Sequence, residues 1–168
     1  MSSMWRVAYL LPLALAATAA GSAQYQPQRT AYAAPSLSSS VGYALNDWRR
    51  LRTSSGYSFG DYARFLIANP GWPDEKKMRR WAEAQMRPGE YPATVIAFFA
   101  KDKPLSGTGW ARLADSYAAS ARPAEALDAA RKAWASPDLS SADEAAIWAR
   151  YSASFTTADH DARVDALL

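Results

Sequence analysis

Residues 110–137 read WARLADSYAASARPAEALDAARKAWASP, and this stretch decides the fold. Trp110, Leu113, Ala114 and Tyr117 fall at the spacing W-x2-L-small-x2-Y, which places them on one face of a helix. Ala126, Ala130 and Ala133 follow at the spacing of a second helix, and Pro137 stands just past its end. The pattern predicts a helix–turn–helix unit in which alanines allow close approach and aromatics fill the gaps. A unit of this size cannot bury both of its apolar faces alone, so it predicts stacked neighbours.

The chain on either side carries the same signals. A helix is expected over about 41–53, with Leu45, Trp48 and Leu51 along one side. Ser58-Phe59-Gly60-Asp61 reads as a variant capping box opening a second helix with Phe59, Tyr62 and Leu66 buried. Asn69-Pro70 stops it, because proline disfavours helical geometry in the residue before it. Trp72-Pro73 is expected to open a third helix, with Pro73 in its first turn and Asp74 and Glu75 facing its positive end. Met78, Trp81, Ala82 and Met86 form its inner side. Pro92 opens a fourth helix with Val95, Ile96 and Phe99 aligned, and residues 106–109 read as a turn into the repeat. Ser141-x-x-Glu144 caps a seventh helix with the stripe Trp148, Tyr151 and Phe155, and Thr157 starts an eighth. The repeat resembles the tetratricopeptide unit, so the expected fold class is all-α: a right-handed α-solenoid of antiparallel helix pairs over residues 41–168.

The amino-terminal residues differ. Arg6 precedes an apolar run over 7–20, and Gly21-Ser22-Ala23 supplies the small residues of a cleavage site. Residues 1–23 therefore read as a secretory signal peptide, with an uncleaved anchor as the alternative. The run is short for a membrane span, which takes roughly 20 residues. Residues 24–40, rich in Gln, Pro, Ala and Ser, read as a flexible leader. Without residues 1–23 the chain keeps 18 basic residues against 16 acidic ones, too even a balance for nucleic-acid binding. Cysteine is absent, and an exported chain without disulfides suits a bacterial periplasm.

Little in this composition points to chemistry. One His and no Cys cannot build an ordinary zinc site, so no metal and no cofactor are expected. His160 shares a face with Val164 and Leu167 and reads as a partly buried packing residue; Asp159 and Arg163 are spaced as an i,i+4 pair. Gly107-Thr108-Gly109 lacks the strand and the Lys of a phosphate loop. Arg49-Arg50-x-Arg52 and Lys76-Lys77-x-Arg79-Arg80 read as solvated helix faces, with Glu83 in reach of Arg79 and Arg80, although they suit anionic polymer or lipid headgroups too. Trp48, Trp81, Trp110, Trp134 and Trp148 lie on inner stripes, and Trp72 lies in a turn. Glycoside chemistry needs a carboxylic acid in an apolar cleft. The pairs Asp74-Glu75 and Asp143-Glu144 both fall in first helical turns, so no catalytic residue is assigned.

A longer set of residues carries a family resemblance. Phe65-Leu66-Ile67-Ala68-Asn69-Pro70-Gly71-Trp72-Pro73, then Arg79-Arg80-Trp81-Ala82-Glu83 and Val95-Ile96-Ala97-Phe98-Phe99-Ala100, resemble the amino-terminal helical region of bacterial soluble lytic murein transglycosylases. The likeness runs on through Pro104-Leu105-Ser106-Gly107, Ala133-Trp134 and Asp138-Leu139-Ser140. It ends in Thr157-Ala158-Asp159-His160-Asp161-Ala162-Arg163 and Asp165-Ala166-Leu167-Leu168. The resemblance implies a periplasmic, cofactor-independent enzyme that cleaves the bond between N-acetylmuramic acid and N-acetylglucosamine and leaves a 1,6-anhydro product. In that family an α-superhelix precedes a lysozyme-like domain with a catalytic Glu-Ser. Glu75, Glu83, Glu90, Glu125 and Glu144 here are not followed by Ser, so no catalytic residue carries over.

Val164, Leu167 and Leu168 place apolar residues at the carboxy-terminal end with no polar cap, and the array is expected to continue beyond Leu168. By itself the chain is expected to be inactive, with peptidoglycan strands as partner of the whole protein. The competing expectation is a free-standing periplasmic tetratricopeptide-like module that binds a protein on its concave face.

Overall fold

The computed structural model describes residues 39–168. The expected signal peptide at 1–23 and most of the leader at 24–40 lie outside the described residues. Among the latter the protein is all-helical, with no strand. Its elements are α1 (Ser39–Leu51), α2 (Phe59–Ala68), α3 (Glu75–Ala84), α4 (Pro92–Phe99), α5 (Gly107–Ala119), α6 (Pro123–Trp134), α7 (Ser141–Tyr151) and α8 (Thr157–Leu167). One 3-10 turn, Ser152–Ser154, separates α7 from α8.

Local chemistry sets these boundaries. The Ser58 hydroxyl accepts from the Asp61 N–H at 3.2 Å and donates to the Asp61 carboxylate at 2.7 Å, which fixes the start of α2. Pro92 and Pro123 occupy first-turn positions of α4 and α6, where a missing N–H costs nothing. Thr156 and Asp159 form a complete capping box at α8. Several expected starts move. α3 begins at Glu75, not at Pro73, because Asp74 adopts a left-handed conformation with φ 63°. The cap of α7 is Ser140, bonded to the Asp143 N–H, rather than Ser141. α7 also ends at Tyr151, which leaves Phe155 outside the helix.

The expected turn over residues 106–109 is the first turn of α5, capped by Ser106 through the Gly109 N–H at 3.1 Å. Its two glycines are there for close approach. A Cβ on Gly107 would lie 2.9 Å from the Leu139 Cα, and one on Gly109 would lie 2.5 Å from a Glu83 carboxylate oxygen.

The principal contacts join helices that are adjacent in the chain or one apart: α2 with α3 and α4, α5 with α3, α4, α6 and α7, and α6 with α7 and α8. The core runs through them continuously. Leu51, Phe59, Tyr62, Leu66, Met78, Val95 and Phe98 fill the first half. Ala111, Leu113, Ala114, Ala126, Ala130, Ala133 and Ile147 fill the second. Each large side chain so buried contributes about 1.5–3 kcal/mol. The alanines let α5 and α6 lie close together. No helix among the described residues is long and apolar enough to cross a membrane.

Candidate functional site

A cleft of about 500 Å³ opens between α5, the turn before α4, and the end of α7. α5 contributes Arg112, Asp115 and Ser116, while Glu90 and Arg150 stand on the other walls. Arg112 is buried and binds two carboxylates, Asp115 at 3.0 Å through Nη1 and Asp143 through Nη2. The second oxygen of Asp143 accepts from the Thr108 hydroxyl at 3.1 Å. The second oxygen of Asp115 meets Arg150 Nη1 at 2.7 Å. A chain of alternating charges, Asp143, Arg112, Asp115, Arg150, thus runs from the core to the rim. All four carboxylate oxygens are engaged within the protein, which leaves neither acid free for proton transfer. An apolar shelf of about 440 Å³, lined by Ala118, Ala121, Pro123, Ala126 and Tyr151, continues from the same Arg150.

Glu83 is the one buried acid with the electrostatics of a catalytic carboxyl. It is 1% exposed, and burial pushes its carboxyl above the ordinary value against the opposing pull of its hydrogen bonds and of Arg79. Its oxygens are already committed. They accept from the Leu105 N–H at 2.9 and 3.0 Å and from the Ser106 hydroxyl at 2.5 Å. The side chain therefore ties α3 to the amino-terminal end of α5, where the helix dipole favours an anion. Sequence reasoning set Glu83 beside Arg79 and Arg80 on a solvated face. Instead Arg79 is buried, pairs with Glu75 at 3.2 Å and Asp102 at 2.9 Å, and donates to the Phe98 carbonyl at 3.1 Å.

An aromatic cluster lies at α6–α8. Trp134 is buried and stacks on Trp148, with centroids 5.4 Å apart and planes 29° apart. His160 sits partly buried beside them, 5.8 Å from Trp148 and 6.2 Å from Trp134 and Phe155. Trp148, expected inside, is 47% exposed because its outer side lacks a covering helix among the described residues. Val164 and Leu167 are exposed for the same reason. Trp72, expected in an open turn, packs between Trp48 at 6.0 Å and Phe65 at 5.6 Å. The Asp159–Arg163 pair does not form. Asp159 binds Arg131 at 3.2 Å, and Arg163 binds Glu144 at 2.9 Å and the Ser136 carbonyl at 2.8 Å.

The Arg49–Arg52 cluster is split by local partners. Arg50 pairs with Asp47 at 3.3 Å, and Arg52 pairs with Asp74 at 3.0 Å while lying over the Trp48 ring. Among the described residues no group of three or more His, Asp or Glu side chains is placed to hold a metal ion. No protein-family model, curated protein or solved structure matches this chain.

Proposed function

We propose that the described helices form a right-handed α-solenoid of antiparallel, tetratricopeptide-like pairs. In this reading they are the amino-terminal superhelical part of a periplasmic lytic transglycosylase, whose glycan-cleaving chemistry belongs to a further carboxy-terminal domain. The observation that carries the architecture is the contact pattern, in which each principal helix contact spans one or two elements of the chain. This is the behaviour of stacked units rather than of a closed core. The family part rests on the ordered residues that resemble the transglycosylase helical region. The committed oxygens of Glu83, Asp115 and Asp143 agree with a scaffold role. Incubation of the purified chain with cell-wall sacculi tests the proposal. Sedimentation of the chain with the sacculi, without release of anhydro-muropeptides, is expected. Release at enzyme-like rates would place a catalytic site in this chain and overturn it.

A second reading draws on the charged cleft. The Arg112–Asp115–Arg150 ladder beside an alanine-lined shelf suits an extended peptide, as in a free-standing periplasmic module that binds a protein partner. Reading the gene past the Leu168 codon separates the two. An open frame with more helix pairs and a Glu-Ser motif favours the first, and a stop codon with no such sequence beyond it favours the second. Export predicts Gln24 as the first residue of the protein isolated from cells.

A further inference from the structure

Most side-chain cations of the described residues are paired or stacked, but the side chains of Arg49, Lys76, Arg80, Arg87, Lys101 and Lys103 have no carboxylate, hydrogen-bond or aromatic partner. Three of these six, Lys76, Arg80 and Lys101, stand at two grooves that share Leu105. Lys76 and Arg80 are one turn apart on α3. Lys76 and Lys101 line a common groove of about 400 Å³ that ends at Leu105. Leu105 in turn borders a second groove of about 440 Å³ with Arg80. Lys103 is exposed two residues before it. Nearby acids do not reach these cations. Arg79 takes Glu75 and Asp102, and Asp138 accepts from the Gly107 N–H at 2.9 Å. Leu105, shared by the two grooves, is 43% exposed, an apolar side chain on the same surface as Lys76, Lys101 and Arg80.

We propose that α3 and the turn between α4 and α5 form a docking surface for a bilayer containing anionic phospholipid. Free cations on one face supply attraction to a negative surface, at about fivefold in partition for each Lys or Arg. The long stems of Lys and Arg can lie along the interface while their charges stay at the phosphates. Leu105 is the element that selects a membrane over a soluble polyanion, because it gains only where there is an acyl boundary to enter. The attachment is reversible and needs no spanning helix.

Vesicle sedimentation of the full 168-residue chain tests this, comparing neutral phosphatidylcholine with vesicles containing 30% phosphatidylglycerol. The readout is the ratio of the two partition coefficients, so that any contribution of the apolar run at 7–20 cancels. Combined Lys76→Glu, Arg80→Glu and Lys101→Glu should lower this ratio by roughly 100-fold. Arg49→Glu with Arg87→Glu, which remove two free cations that line neither groove, should leave it nearly unchanged. Leu105→Ser should weaken binding to anionic vesicles by about threefold and leave binding to soluble polyglutamate unaltered. Helical circular dichroism and the unfolding midpoint of each variant verify folding, since the replaced cations hold no internal contact. An unchanged ratio in the triple variant overturns the proposal. So does a triple variant that loses polyglutamate and vesicles alike while Leu105→Ser affects neither, which would mark a site for a soluble polyanion.

Discussion

The α5–α6 pair and the α7–α8 end are written in the same alphabet and reach opposite outcomes. Both carry apolar residues at 3,4 spacing. In α5–α6 these residues are buried: Leu113, Ala114, Ala126, Ala130 and Ala133 all lie in the core. In α8, Val164 and Leu167 remain 56% and 59% exposed. Spacing defines a face, and only a neighbour makes that face interior. α5 has four helical neighbours, α3, α4, α6 and α7, whereas α8 rests principally on α6. The end is held by the buried Arg163, bound to Glu144 and the Ser136 carbonyl, while the middle is locked by three further features. These are the buried Arg112–Asp143 pair, the Glu83 clamp, and the backbone approach of Gly107 to Leu139.

If that contrast is right, the largest loss should come from breaking the buried ion pair. Asp143→Ala leaves the Arg112 guanidinium without a major partner and should cost about 3–5 kcal/mol in urea unfolding. A cost under 1 kcal/mol would mean that water reaches Arg112 and that the middle is not sealed. Next comes Gly107→Ala, whose added methyl meets Leu139 backbone rather than a movable side chain. It should cost about 2–3 kcal/mol. Gly42→Ala in α1, with nothing within 4 Å of the new methyl, should instead stabilise by about 0.5–1 kcal/mol.

The Glu83 clamp sharpens the comparison through pH. Its carboxyl is raised above the ordinary value of 4.5, chiefly by burial. Below that value the group is protonated both folded and unfolded and adds no pH dependence. As pH rises through the higher folded value, the native state must carry a charge that burial disfavours, and its contribution to stability declines. Glu83→Gln removes this titration, so the stability of the unsubstituted chain relative to the variant should fall with rising pH. A difference that stays flat or grows would show that the hydrogen bonds from Leu105 and Ser106 outweigh desolvation. The smallest effect belongs to the open end, where Val164→Ser should change stability by no more than about 0.5 kcal/mol.

Much of this fold was legible in the sequence, because helix starts are local chemistry. Ser58, Pro92 and the 3,4 stripes of α5 and α6 announce themselves within a few residues. What escaped was the role of charge inside the helical core. Arg79, Glu83, Arg112, Asp143 and Arg163 are buried, yet at i,i+3 and i,i+4 spacing they look like surface pairs. Each also has a partner 19 or more residues away, such as Ser106 for Glu83 and Glu144 for Arg163, that local spacing does not reveal. The glycines of α5 misled for a related reason. Gly107 and Gly109 resemble a turn until Leu139 and Glu83 are brought against them by the fold. Trp148 shows the reverse error, an inner-stripe residue whose outward side meets no neighbour.

Native-state hydrogen exchange measures the contrast directly, since each helix reports its own opening free energy. Amides of α5 and α6 should exchange only through the largest openings of the molecule, and those of α8 through a much smaller local one. Equal protection of α8 and the α5–α6 pair would contradict a helical fold locked at its middle and open at its α7–α8 end.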